Sequence, residues 1–230
     1  SRRRRGRAMT PADDAAPAPR PRKPAPPVVV SDATNHERRW RIAVWTVIAS
    51  EALLFSGLFA LYAGYRSEHA AAFAAGVRGD DAMIGGINTL VLLTSSFAMA
   101  WAVHRVRAGR RGVAAVSLAC VLVLGAVFLA LKGLEWSHHI ADGVVPGAAY
   151  HGPDRGPGIG LFVALYFGMT GLHALHVVAG LALVAWMLSL VVRGKAGAGH
   201  PLPVELVGLY WHFVDAIWVF LWPLFYLMRT

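Results

Sequence analysis

The sequence predicts an all-α integral membrane protein, a five-transmembrane-helix bundle, and three observations carry that prediction. Hydrophobic residues make up 56% of the 230 residues and charged ones 15%, where a soluble domain has about 45–50% and about 25%. A soluble protein this apolar would expose patches that aggregate. Five apolar runs are long enough for the roughly 20 residues that a helix needs to cross about 30 Å of hydrocarbon. Third, 17 of the 22 Lys and Arg fall on one side of those runs.

Residues 1–38 come first and are expected to be a disordered, basic, Pro/Ala/Arg-rich tail. Residues 1–35 hold seven of the 13 prolines and almost no large apolar side chains, too little surface to bury for independent folding. No apolar run of the kind that follows the basic start of a secretory signal is present in it. The sequence opens on Ser1, and Met9 is a candidate start. The membrane domain is assigned to 39–230. Its first span covers about 42–65, interrupted by one charge, Glu51. The second covers about 84–104 and the third about 113–134. The fourth, about 158–192, exceeds one perpendicular crossing and therefore tilts or protrudes. The fifth covers about 204–228, with Pro201 and Pro203 punctuating its start and Pro223 kinking its last turns. No internal repeat is evident, which disfavours an inverted-repeat transporter.

The formal net charge of +9 is then a matter of topology. Eleven Lys and Arg precede the first span, four (Arg105, Arg107, Arg110, Arg111) lie between spans two and three, and Arg193 and Lys195 lie between four and five. The opposite ends carry only Arg66, Arg78, Arg155 and Arg229. The positive-inside rule places the N-terminus in the cytoplasm and the C-terminus outside, and no nucleic-acid partner is expected. The single cysteine, Cys120, excludes an intramolecular disulfide, and its apolar surroundings predict a buried, inert thiol.

Ionisable groups in hydrocarbon are costly and usually face the protein interior. Glu51 near the middle of span one is either a proton-linked carboxyl or a hydrogen-bonding lock between helices. His173 and His176, at i and i+3 on one face of span four, either ligate a metal or haem or hydrogen-bond across the bundle. His212 and Asp215, at i and i+3 on span five, form either an acid-base pair in which the carboxyl sets the imidazole tautomer or a packing lock. Asn88, Thr89, Thr94 and Ser95 on span two are helix-packing polar residues. Lys132 and Glu135 are a candidate pair near the outer end of span three. His138 and His139 follow in what reads as a wet loop, solvated rather than metal-binding.

In this order, these groups resemble subunit III of the haem–copper oxidase (cytochrome c oxidase) family, five-helix bacterial form. The resemblance rests on SEALLFSG (50–57), NTLVLLTSS (88–96), LEW (134–136), TGLHALHV (170–177) and YWHFVDAIW (210–218), and covers about residues 40–228. It implies a non-catalytic subunit without a metal centre of its own. Haem and copper reside in partner subunits, subunit I does the chemistry, and this chain supports assembly and sustained proton uptake. Glu51 matches the family's buried reactive carboxyl, and both histidine motifs match positions that lock helices. Bound phospholipid and a bacterial inner-membrane location follow from the same resemblance. The segments YRSEH (65–69) and LWPLFYL (221–227) also resemble the nitric oxide reductase accessory branch of the family. A reading of a different class is a standalone proton-coupled transporter built on Glu51, His173, His176, His212 and Asp215.

Overall fold

The apolar runs form helices because hydrocarbon offers no partner for backbone N–H and C=O groups, so each run must satisfy them internally. A computed structural model describes residues 32–79, 82–147, 150–152, 156, 158–197, 199 and 201–228. Six α-helices follow one another: α1 Asp32–Glu68, α2 Ala70–Gly79, α3 Ala82–Arg107, α4 Arg111–Ala141, α5 Ile159–Val192 and α6 Leu202–Trp222. A π-helical turn, Pro223–Leu227, follows α6. Five of these helices, α6 extended by the π-turn, are long and apolar enough to cross a membrane, and the chain is a multi-pass membrane protein. No strand occurs among the described residues.

Three boundaries differ from expectation. The first helix starts at Asp32, so 32–38 belong to it rather than to the tail. The rest of the expected tail lies outside the described residues. A short Ala-rich helix, α2, separates the first two spans. His138 and His139 sit in the last turn of α4 rather than in a loop, because the helix continues past the apolar run to Ala141.

Helices α3, α4, α5 and α6 form a closed ring of neighbours, each packed on the next. Their shared interior holds Met99, Leu118, Phe128, Met169, Trp211 and Trp218, all at most 1% exposed. Gly180 makes room for Trp211, whose ring would lie 2.9 Å from an added Cβ there. Helix α1 lies outside this ring against α5 and α6, and α2 caps one end against α5 and the π-turn. Leu53, Leu90, Phe97 and Leu175 point outward, as lipid-facing side chains do. Cys120 also faces outward. The expectation of a buried thiol fails because an apolar run in a membrane helix marks its lipid face as readily as its core.

Candidate functional site

The polar side chains of the spans gather in three places. At the end of the bundle where α3 joins α4, Glu205 in the first turn of α6 receives Arg107 Nε at 2.9 Å, and Arg41 Nη2 lies 3.7 Å from its other oxygen. This joins α1, α3 and α6 at the basic end. Glu205 was not singled out from sequence. Its isolation among basic residues was the available signal.

Midway along the bundle, Glu51 Oε2 lies 3.1 Å from His176 Nε2 and joins α1 to α5. The pair is only partly enclosed, with side-chain exposures of 26% and 13%. His176 Nδ1 is 2.8 Å from the Leu172 carbonyl oxygen. A carbonyl only accepts, so Nδ1 carries a proton and donates. The Nε2–Oε2 contact then needs one further proton between its two atoms: either the carboxyl donates to a neutral imidazole, or an imidazolium donates to a carboxylate. The pair is thus built to hold one shared proton. Phe55 meets the imidazole edge-on with centroids 5.5 Å apart, and the Tyr210 hydroxyl donates to the His176 carbonyl at 3.3 Å.

One turn earlier on α5, His173 is 1% exposed. It lies between Phe128 and Trp218, with ring centroids 5.7 and 5.2 Å away. Neither ring nitrogen has a hydrogen-bond partner among the described residues. The two imidazoles therefore enter different surroundings, although i and i+3 spacing suggested a common face.

His212 Nδ1 lies 2.6 Å from Ser96 Oγ on α3. The imidazole thus meets a hydroxyl across the bundle rather than Asp215. The Asp215 carboxyl is 3% exposed and lies beside the same serine. Ser96 is the member that spacing alone did not mark. Its neighbour Ser95 accepts from Trp211 Nε1 at 2.8 Å, and Thr89 accepts from Trp218 Nε1 at 3.1 Å. Asn88 is fully buried and without a partner among the described residues. Thr94 departs from the helix-packing expectation: it faces outward and donates to the Leu90 carbonyl of its own helix.

Towards the other end, Lys132 Nζ lies 3.0 Å from Glu135 Oε1. Two tyrosines close around the pair. The ammonium also donates to the hydroxyls of Tyr166 at 2.9 Å and Tyr226 at 2.7 Å. Both hydroxyls donate in turn to Glu135 Oε1, Tyr226 at 2.5 Å and Tyr166 through a shorter contact. All four residues are buried. Among the described residues, no three His, Cys, Asp or Glu side chains come together to hold a metal ion.

A shared-proton carboxyl–histidine pair, a serine bridging α3 to α6 and an enclosed ion pair, in the order of the sequence motifs, point to a known family. The family model described as cytochrome c oxidase subunit III matches residues 32–229. The chain belongs to that family. It is 29% identical over 190 residues to cytochrome bo(3) ubiquinol oxidase subunit 3 of Pseudomonas putida, covering 81% of this chain and 84% of that one. To a haem–copper oxidase subunit I+III of Aeropyrum pernix it is 28% identical over 82% of its own length and 22% of the relative's. To cytochrome c oxidase subunit 3 of Cyprinus carpio it is 34% identical over 61% of its own length and 48% of the relative's. In these last two cases it spans half or less of the protein it matches.

Proposed function

We propose that this chain is the non-catalytic subunit III of a haem–copper respiratory oxidase, in which subunit I reduces O₂ and this subunit supports assembly and sustained proton uptake. The Aeropyrum relative's name joins subunits I and III, which supports subunit I as the partner. Haem and copper belong to the partner subunits, and phospholipid is a further ligand of the complex. The asymmetry of Lys and Arg supports a cytoplasmic N-terminus in a bacterial inner membrane.

The observation that carries the proton-linked part is the Glu51–His176 contact. A carboxyl and an imidazole sharing one proton at mid-membrane form a site that gains or loses that proton without rearranging helices. The Ser96–His212 contact, which ties α3 to α6, supports a locking role for the second histidine motif.

Affinity purification from native membranes in mild detergent tests the assignment. A haem-bearing partner is expected to co-purify and to reduce O₂. Recovery of the chain alone from intact membranes overturns the assignment, and a partner that reduces nitric oxide reassigns it to the sister branch. In the assembled complex, Glu51→Gln is expected to lower turnover or shorten the active lifetime.

A further inference from the structure

We propose that the C-terminal residues 223–228 are an internal latch, closed by Tyr226 on the Lys132–Glu135 pair, that holds the outer half of α1 against the bundle. The first observation is how Tyr226 reaches the pair. Its ring is fully buried and passes over Gly85 on α3. A Cβ at that position would lie 2.7 Å from Tyr226 Cδ1, so only glycine leaves the passage open. The hydroxyl then sits between the ammonium and the carboxylate, accepting from one and donating to the other. Its ring neighbour in the turn, Phe225, packs on Phe162 and Tyr166 of α5, with centroids 5.9 and 5.4 Å away.

The second observation is what the latched segment offers in the other direction. The last carbonyls of a helix have no intrahelical donor. Two donors from α1 meet carbonyls here. The Tyr62 hydroxyl donates to the Leu224 carbonyl at 2.7 Å, and Arg66 Nη1 donates to the Met228 carbonyl at 3.1 Å. Tyr62 also meets Phe225 edge-on at 5.3 Å. A continuous path therefore runs from α4 and α5 through Tyr226 and the turn's backbone to α1. Helix α1 stands outside the four-helix ring, so a substitution at Lys132 is expected to free it by way of Tyr226 and the turn. The helix so held is the one that carries Glu51.

The test places spin labels at Ser67→Cys on α1 and Ser137→Cys on α4, in the full chain with Cys120→Ser, and reads their distance distribution by pulsed dipolar spectroscopy in lipid nanodiscs. Both serines are exposed and bond only the carbonyl three residues earlier in their own helix. A single narrow distance is expected in the parent. Tyr226→Phe removes both bonds of this hydroxyl and should raise the displaced population of α1 at least about fivefold, the scale of a single net hydrogen bond. Tyr62→Phe should do the same from the other side, and the two together should not add, because they cut one path. Lys132→Met alone strands a carboxylate and risks misfolding. The Lys132→Met, Glu135→Leu double variant leaves no stranded charge and should still displace α1. A parent-like distribution in Tyr226→Phe and in that double variant overturns the latch, as does simple additivity of Tyr226→Phe with Tyr62→Phe.

Discussion

Two carboxyl–base pairs lie in the same bundle and are built in opposite ways. Lys132–Glu135 is buried, its two charges cancel, and two tyrosine hydroxyls bond the same carboxylate oxygen as the ammonium, while the other oxygen has no partner among the described residues. Glu51–His176 has a single contact between its members, is partly open to the outside of the bundle, and has one proton to share. An enclosed ion pair ringed by donors has no cheap way to change its charge, because removing either charge strands the other in low dielectric. A pair with one proton and open access can change state. The difference fits a structural part for the first and the proposed proton-linked role for the second, although sequence marked both only as carboxyls in apolar helices.

The sharpest way to break this contrast is to remove one charge of the enclosed pair. Glu135→Ala leaves the Lys132 ammonium buried without its counter-charge. We expect it to cost about 3–5 kcal/mol of stability, measured by denaturant unfolding in detergent. The double replacement Lys132→Met, Glu135→Leu should recover most of that loss, because the desolvation cost of both charges disappears together. A Glu135→Ala variant as stable as the parent would mean that the cluster is hydrated and that enclosure is the wrong basis for the comparison.

A middle-sized effect is expected at Gly85. Gly85→Ala places a methyl against the ring of Tyr226, and overpacking of this kind costs about 1–3 kcal/mol. The same substitution on the lipid-facing side, Gly133→Ala, meets nothing within 4 Å. It should be neutral or slightly stabilising, since alanine is the better helix former. Thermal unfolding of the two variants side by side reads the difference. Equal behaviour would show that Tyr226 enters the bundle by another route.

The five spans were readable because length and apolarity alone dictate them. Helix α2 was not, since ten mostly small residues (70–79) between two spans carry no periodic signal that separates helix from loop. His173 and His176 show the limit of spacing arguments. Three residues advance a helix by 300°, leaving the side chains about 60° apart. On α5 that angle is enough to send one into the aromatic interior and the other to α1. Glu51, Lys132 and Glu135 stand out in any apolar run, but Tyr166 and Tyr226 do not, because tyrosine is common near membrane interfaces. Their part in the cluster depends on the chain returning, after 94 residues, to the level of Lys132. Ser96 was hidden for a related reason: it is one of three adjacent hydroxyl residues, and only the position of α6 decides that Ser95 meets Trp211 while Ser96 meets His212.

The smallest expected effect is the one that separates the two roles most cleanly. In Glu51→Gln the side-chain amide can donate to His176 Nε2 from the place of the carboxyl, while Nδ1 still donates to the Leu172 carbonyl. The contact survives with a neutral partner that cannot give up its proton. Stability should therefore fall by less than about 1 kcal/mol, the scale of a single neutral hydrogen bond. Glu51→Leu removes the acceptor and donor alike and leaves Nε2 facing an alkyl group, so it should cost more than Glu51→Gln in the same unfolding measurement. If the amide is tolerated structurally but turnover of the complex drops, the shared proton is what the pair contributes. If glutamine and leucine destabilise equally and turnover follows stability, Glu51–His176 is a second lock, and the contrast with Lys132–Glu135 collapses to a difference in burial.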